Sequence, residues 1–440
     1  MKKGNIDQWI CETEHIKSLT RASLEKIQLE KLNLLLARKK TLLSSLEELA
    51  QLPFTTSEML SQHPEQFLLT SQANINRVIS GATSGTTGPS KRVFYTAKDT
   101  SYTTSFFAAG ISEMVTANDR VLIDFPFSGA FGLGDLIEKA VISIGAHSIR
   151  PCPNRSFKEQ CLYIHEQQPD CYIGSCVPLL SLARYYQCHF ADWSFPITRA
   201  LISGDACPSE VVRELEQLLH TKLFPHYGSR ECGLGGAITC QAHEGMHLRE
   251  NHIIAEIIDR DLKPVPDGCW GELVLSTIGL EAMPLIRYRT GDYTRILPTP
   301  CPCGSVTRRL DSVSRVNTQP LSLPARPLTR AHTKPLSIPL TQEMLDNQLF
   351  SIPKIIDYQA SLRNNILFIT ALLPADLHNP TDGHNPFEKV PLNTLHMPGN
   401  IKEMISDRLY YLWPTYDVQI TFNYCHSDTL PFYPGKRHLL

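Results

Sequence analysis

The chain has 440 residues, with 42 Lys and Arg against 44 Asp and Glu, and 42% of its residues are apolar. Domains of about 100–200 residues each bury their own core, so this length and composition exclude disorder as the principal state. A formal net charge of −2 removes any overall pull toward nucleic acid or an anionic membrane, so a bound polyanion must be held by a local site.

In chain order, Met1-Lys2-Lys3-Gly4-Asn5 leads into polar sequence with no apolar signal core. No stretch reaches the roughly 18 uninterrupted apolar residues of a spanning helix. A cytoplasmic protein is expected, with neither membrane nor nucleic acid as partner. Its 13 cysteines, an odd number without framework spacing, read as mostly reduced thiols. Leu32, Leu35, Leu36, Leu42 and Leu43 recur at helical spacing among charged residues, which predicts an amphipathic helix from about Ser23 to Glu48.

From Val121 to Tyr227 the apolar runs Val121-Leu122-Ile123, Cys171-Tyr172-Ile173, Ala200-Leu201-Ile202 and Leu223-Phe224 alternate with helical stretches. Those stretches are Phe157 to Gln167, Leu179 to Tyr186 and Ser209 to Leu219. The alternation predicts βαβ units and a parallel sheet. Such sheets bind ligands beyond the carboxyl ends of their strands, which singles out Gly204-Asp205 and Tyr227-Gly228. After Cys240, the runs Ile253 to Ile258, Glu272 to Ser276, Leu285 to Arg289 and Tyr293 to Leu297 predict an antiparallel, barrel-like part.

Pro320, Pro324, Pro327, Pro335 and Pro339 break regular structure between Thr318 and Leu340. A smaller α+β unit follows, with helix Gln342 to Leu349, strand Ile366 to Ala371 and helix Ile401 to Leu412. Pro374 to Pro398 within it reads as a surface insertion. The expected fold class is α/β: an N-terminal domain over 1–314, a hinge and linker over 315–340 and a small C-terminal α+β domain over 341–440.

The sharpest chemical signal is Thr83-Ser84-Gly85-Thr86-Thr87-Gly88-Pro89-Ser90-Lys91. Glycines let backbone approach a polyphosphate, hydroxyls and N–H groups donate to its oxygens, and Lys91 adds a positive charge. A flexible surface turn is the ordinary reading of such a run, but hydroxyls interleaved with glycines and closed by a lysine favour phosphate. The pattern G-x-x-x-x-G-K-[ST] is absent, which disfavours the usual kinase or GTPase loop. A separate constellation, Cys240, His247, Cys301 and Cys303, offers four soft or borderline donors suited to a structural tetrahedral Zn²⁺. A tight turn with buried thiols is the alternative.

The glycine-rich loop resembles the phosphate-binding signature of the adenylate-forming superfamily of acyl-CoA synthetases, and the chain is most similar to the phenylacetate:CoA ligase branch. The resemblance recurs in order: Ile202-Ser203-Gly204-Asp205 at the adenine-contacting turn, then Tyr227-Gly228-Ser229-Arg230-Glu231 and Gly271-Glu272-Leu273-Val274. Pro284-Leu285-Ile286-Arg287-Tyr288-Arg289-Thr290-Gly291-Asp292 and Cys301-Pro302-Cys303-Gly304 follow, and Pro434-Gly435-Lys436-Arg437 stands at the terminal catalytic-lysine motif. Ordered co-occurrence from about Ser80 to Lys436 is far more specific than any single motif.

The resemblance implies ATP, Mg²⁺ and CoA as ligands and a carboxylic acid as substrate. It also implies a mobile C-terminal lid closing in two orientations, with a homodimer kept open as the assembly. Ser84, Gly85, Thr86, Thr87, Gly88 and Lys91 would cradle the triphosphate. Asp292 suits the ribose hydroxyls, Tyr227 offers a flat face to adenine, Glu231 is an acceptor for Mg²⁺, and Lys436 supplies a mobile cation. Taken singly, each has an ordinary alternative: an acid at a turn, a core tyrosine, a surface lysine.

Two positions depart from the family pattern. Arg230 stands where threonine is usual; it cannot accept a hydrogen bond but can clamp a phosphate. At the hinge Ser314-Arg315-Val316-Asn317, Arg315 is kept for the ribose and Asn317 replaces an acid. The acyl pocket is expected between Asp124 and Gly134, where Phe125, Phe127, Phe131 and Gly132 would wall a flat aryl acid against Gly204. The leading expectation is an ATP-dependent acid:CoA ligase. Adenylyl transfer without CoA, to a hydroxyl or a carrier protein, and a non-catalytic nucleotide-binding homologue are the alternatives.

Overall fold

A computed structural model describes residues 5–81, 91–129, 132–190, 194–315, 340–375, 398–413, 416–426 and 428–432. The first part of the chain contains α1 (Asn5–Thr13), α2 (Arg21–Leu36), α3 (Ser57–Gln62), β1 (Ile75–Gly81), β2 (Lys91–Thr96) and α4 (Ala97–Ile111). The alternating section follows: β3 (Arg120–Ile123), α5 (Leu133–Ser143), β4 (His147–Ile149), α6 (Phe157–Gln167), β5 (Cys171–Gly174), α7 (Cys176–His189), β6 (Arg199–Ile202), α8 (Ser209–Leu219) and β7 (Phe224–Tyr227). Then come β8 (Ala237–Thr239), β9 (Met246–Leu248), β10 (Ile253–Ile258), β11 (Gly271–Thr277), β12 (Tyr288–Thr294), β13 (Arg309–Leu310) and β14 (Ser314–Arg315). The C-terminal unit is α9 (Gln342–Leu349), β15 (Asp357–Arg363), β16 (Ile366–Leu373), α10 (Pro398–Leu412) and β17 (Asp417–Tyr424).

The central sheet has eight strands in the order β13-β9-β8-β7-β6-β5-β3-β4. Its β4, β3, β5, β6 and β7 run parallel, and β8, β9 and β13 continue it antiparallel. Leu122, Tyr172, Ala200 and Ile202 face one core with α6, α7 and α8; Val121, Ile123, Cys171, Ile173 and Leu201 face another with α1, α4 and α5. This two-residue alternation, apolar on both faces, is that of parallel strands covered on either side by helices. The crossovers leave the carboxyl ends of β6 and β7 open to a common crevice.

The second large sheet is β10-β11-β12-β14, antiparallel throughout and open; no closed barrel is found among the described residues. The sequence suggested separate strands at Leu285 to Arg289 and Tyr293 to Leu297. The structure instead has one strand, β12, running through Gly291, whose φ of +72° only glycine adopts at little cost. The helix expected to Glu48 ends at Leu36. Lys40 is left-handed at φ 54°, and the Asn33 side chain bonds both the N–H and the carbonyl of Leu43, folding the chain back.

The C-terminal unit is a three-stranded sheet, β15-β16-β17, carrying α9 and α10. Leu345, Leu349, Phe350 and Trp413 join the same core as Leu179, Tyr185 and Leu215 of α7 and α8. Arg184 of α7 is buried beneath this junction, donating to the carbonyls of Phe350 (2.6 Å), Ile352 (3.2 Å) and Ile355 (2.6 Å) and pairing with Glu214. No helix is long and apolar enough to cross a membrane among the described residues.

Candidate active site

Lys91, the last residue of the glycine-rich motif, opens β2, and its side chain turns inward. The short 3-10 turn Arg230–Cys232 after β7 carries Glu231, and Tyr288 begins β12. These three side chains close a buried triangle: Lys91 Nζ lies 2.9 Å from Glu231 Oε1 and 2.9 Å from the Tyr288 hydroxyl, which is 3.1 Å from Glu231 Oε1. Burial alone would raise the Glu231 carboxyl, but the Lys91 ammonium and the Tyr288 hydroxyl more than offset it and hold it below the usual carboxylate range. The Tyr95 hydroxyl also donates to the Arg230 carbonyl, a second tie between β2 and this turn.

A second chain of contacts lies alongside. The Tyr227 hydroxyl donates to Asp292 Oδ2 at 2.8 Å, and Arg315 Nη1 pairs with Asp292 Oδ1 at 2.9 Å. Asp292 and Arg315 are register partners on β12 and β14, so the antiparallel sheet itself sets this pair. Tyr227 is buried, and burial with the neighbouring Asp292 charge pushes its phenol well above the ordinary value, so it stays a neutral donor.

Between these groups and the central sheet lies a cavity of about 540 Å³. Its lining combines polar groups from Ser203, His226, Ser229, Arg230, Glu231 and Arg315 with apolar walls that include Phe107, Phe125, Ile137, Ile173, Leu234 and Ile238. Gly204 has a φ of +89°, and a Cβ there would lie 2.8 Å from Phe125, so glycine is what lets the strand end and that ring meet.

The structure thus brings together Lys91, Gly204, Tyr227, Gly228, Ser229, Arg230, Glu231, Asp292, Arg315 and Phe125. It separates others. Phe127 does not line this cavity; the Arg150 guanidinium sits 4.6 Å from its ring centre. Gly132 borders a different, polar hollow beside Asn76, Arg77 and Ser128, where it leads into α5. Asp205 turns from the cavity toward Glu343 and Asp346 of α9. Ser84, Gly85, Thr86, Thr87, Gly88, Phe131, Asn317 and Lys436 lie outside the described residues, as do residues 316–339 of the linker and 376–397 of the insertion. Tyr288, His226 and the α4 and α5 walls were not singled out from sequence; Tyr288 lay inside the quoted arginine-tyrosine motif, and a histidine next to Tyr227 was the available signal.

The four candidate metal ligands converge. Cys240 follows β8, His247 lies in β9, and Cys301 and Cys303 sit in the loop before β13; their donor atoms all lie within 4.8 Å of one another. Cys240 Sγ and Cys301 Sγ are 3.6 Å apart, and Cys303 Sγ is 3.4 Å from His247 Nε2. The other imidazole nitrogen meets the Thr307 hydroxyl at 2.8 Å, and the backbone N–H groups of Ala242 and Ser305 point at the sulfurs of Cys240 and Cys303. Donors on the edges of a tetrahedron around zinc stand about 3.3–3.8 Å apart, given metal–ligand bonds of about 2.0–2.3 Å. The Cys240–Cys301 and Cys303–His247 separations fall within that figure, and the oriented second nitrogen is the usual support for a ligating histidine.

A protein-family model described as AMP-binding enzyme matches residues 46–282. The chain is 30% identical over 281 residues to the phenylacetate-coenzyme A ligase of Pseudomonas putida, covering 62% of this chain and 63% of that protein. The Aromatoleum evansii protein of the same name is 31% identical over 281 residues, covering 62% of each. The matches thus span less than two thirds of these relatives. Among solved structures, 2-hydroxyisobutyryl-CoA ligase in its postadenylation state, in complex with 2-HIB-AMP, superposes with a TM-score of 0.70 at 14% identity, covering 94% of this chain and 89% of that one. At that identity the likeness is one of fold.

Proposed function

We propose that this chain, which belongs to the AMP-binding enzyme family, is an ATP-dependent carboxylic acid:CoA ligase that favours aryl acids. The observation that carries the reading is that Arg230, Glu231 and Arg315 line one largely apolar cavity, with Lys91 paired to Glu231 behind it. In the first step the acid's carboxylate oxygen attacks the α-phosphorus of ATP, giving acyl adenylate and pyrophosphate. In the second the CoA thiol attacks the acyl carbon and AMP leaves. Adenylation concentrates negative charge at the α-phosphate and the departing pyrophosphate, so fixed cations there stabilise the transition state more than the ground state.

The residues divide that work. Ser84, Gly85, Thr86, Thr87, Gly88 and Lys91 hold the triphosphate, with Arg230 in the place of a hydroxyl at the α-phosphate. Asp292, oriented by Tyr227 and Arg315, accepts the ribose hydroxyls, and Gly204, Gly228 and Ser229 border the adenine. Glu231 is the carboxylate that would hold Mg²⁺, which would neutralise phosphate charge; for this it must exchange its contact with Lys91. Lys436 supplies a catalytic cation from the C-terminal lid over 341–440. Phe125 and the apolar interior support an aryl acid. Residues Cys240, His247, Cys301 and Cys303 would hold a structural Zn²⁺, which would brace the loop before β13 against β8 and β9.

ATP–pyrophosphate exchange across a panel of aryl and aliphatic acids tests the first step, and CoA-dependent thioester formation tests the second. Benzoate-like or phenylacetate-like acids should outperform long alkyl chains; activity on fatty acids alone would contradict the pocket assignment. AMP release without any need for CoA would favour transfer to another acceptor.

A further inference from the structure

We propose that Tyr288 is a positioning residue for nucleotide binding: its hydroxyl keeps Glu231 and Lys91 joined when Glu231 gives up its direct contact with Lys91 to the cation that accompanies ATP. The consequence for catalysis rests on the ligase reading above; the consequence for nucleotide binding does not.

Tyr288 opens β12 with Leu275 of β11 as its register partner. On its other side Thr55 donates to the Arg287 carbonyl at 3.0 Å and accepts from the Arg289 N–H at 2.9 Å. The ring is buried in an apolar cluster with Leu60, Val93, Phe94 and Leu285. Backbone pairing and ring packing thus fix the side chain without help from its hydroxyl, and phenylalanine would fill the same space. The hydroxyl nevertheless lies between two charges, 2.9 Å from Lys91 Nζ and 3.1 Å from Glu231 Oε1.

The direction of each bond follows from the groups. An ammonium can only donate and a carboxylate can only accept, so Lys91 donates to the Tyr288 oxygen and the Tyr288 proton goes to Glu231. Burial and the neighbouring Glu231 charge push the phenol well above its ordinary value, so it keeps that proton. Glu231 faces the cavity, whereas Lys91 stands behind it, and Lys91 and Tyr288 meet the same carboxylate oxygen, Oε1. Breaking the direct 2.9 Å pair would strand an ammonium in a poorly solvated site. The Tyr288 oxygen leaves that ammonium an acceptor, and the Tyr288 proton still orients the carboxylate. Without the hydroxyl, Glu231 can turn to a cation only by abandoning Lys91, so nucleotide and cation bind less tightly.

The test compares the native protein with Tyr288→Phe, Glu231→Gln and the double variant. Calorimetric MgATP binding, pyrophosphate exchange and the Glu231 carboxyl signal in NMR are the measurements. Tyr288→Phe should weaken MgATP binding by about tenfold, the size expected for a lost hydrogen bond to a charged group. KM for MgATP should rise by a like factor while kcat stays within about threefold. The Glu231 carboxyl should titrate higher in Tyr288→Phe, because the Tyr288 hydroxyl helps hold it down. In the Glu231→Gln background the same substitution should change MgATP binding by less than about twofold, since the two residues act through one bond. MgATP binding unchanged in Tyr288→Phe, an equal loss in both backgrounds, or no MgATP binding by the native protein overturns the proposal. The expected binding pattern without exchange on any acid supports this inference and defeats the ligase reading instead; exchange with MgATP binding unchanged in Tyr288→Phe does the reverse.

Discussion

A buried lysine and glutamate 2.9 Å apart pose a residue-scale question of stability against function. Removing one partner strands the other charge in a poorly solvated site, which typically costs about 3–5 kcal/mol. Lys91→Met and Glu231→Leu should therefore each destabilise the fold, whereas the double variant should recover much of that loss and still lack adenylation. Denaturant midpoints read beside pyrophosphate exchange check this; a double variant that restores activity would show the pair to be structural. Glu231→Gln keeps the shape and should lower exchange by about 10²–10³-fold, the usual cost of one electrostatic contact to a transition state. Much at this scale was legible in the sequence. Glu231, Asp292 and Tyr227 sit in motifs whose order is preserved, and the strand ends of β6 and β7 marked the crevice. Phe127 and Gly132 were misplaced because adjacency in sequence does not say which way a side chain points after a strand ends.

Whole elements tell the same story of local pattern against long-range packing. Helices α6, α8 and α9 begin and end where their patterns predict, since Ser156 and Thr341 cap α6 and α9 and left-handed Gln168 and His220 close α6 and α8. By contrast α4 and α5, which wall the cavity, carry mixed polar and apolar residues whose role depends on the sheet behind them. The metal ligands likewise come from separate elements, joined through register: Ile238 pairs with His247 and His247 with Arg309. Zinc should pin this antiparallel edge of the central sheet. Native protein purified without chelator should carry about one zinc equivalent, and Cys303→Ser should lower both metal content and thermal midpoint. Full metal content in Cys303→Ser, or none in the native protein, would contradict the assignment.

The whole molecule is held at the junction of its two parts. There Asp205, at the end of β6, shares a hollow with Glu343 and Asp346 of α9. Burial, followed by the neighbouring Asp346 and Asp205 charges, pushes Glu343 up to about 7. A carboxyl raised in the folded state adds stability below its ordinary value, and that contribution is lost as pH rises through about 7. Glu343→Gln should accordingly raise the thermal midpoint at about pH 8 by about 2–4 °C and leave it little changed near pH 4. A gain of equal size at both values would place the effect elsewhere. The junction was the part least visible in the sequence. A proline-rich boundary suggested separable domains, yet Arg184 and the shared core join α7 to the C-terminal unit, and such contacts leave no periodic trace in either segment. Any lid rotation must first release those bonds.

The proposed chemistry is the reaction of ATP with a carboxylic acid at the cavity lined by Arg230, Glu231 and Arg315. Carboxylate-dependent ATP–pyrophosphate exchange measures that reaction directly, with Lys436→Ala as control. Exchange should need both an acid and magnesium and fall by about 10²-fold or more in Lys436→Ala. No exchange with any aryl or aliphatic acid, together with no calorimetric heat from MgATP, would contradict it.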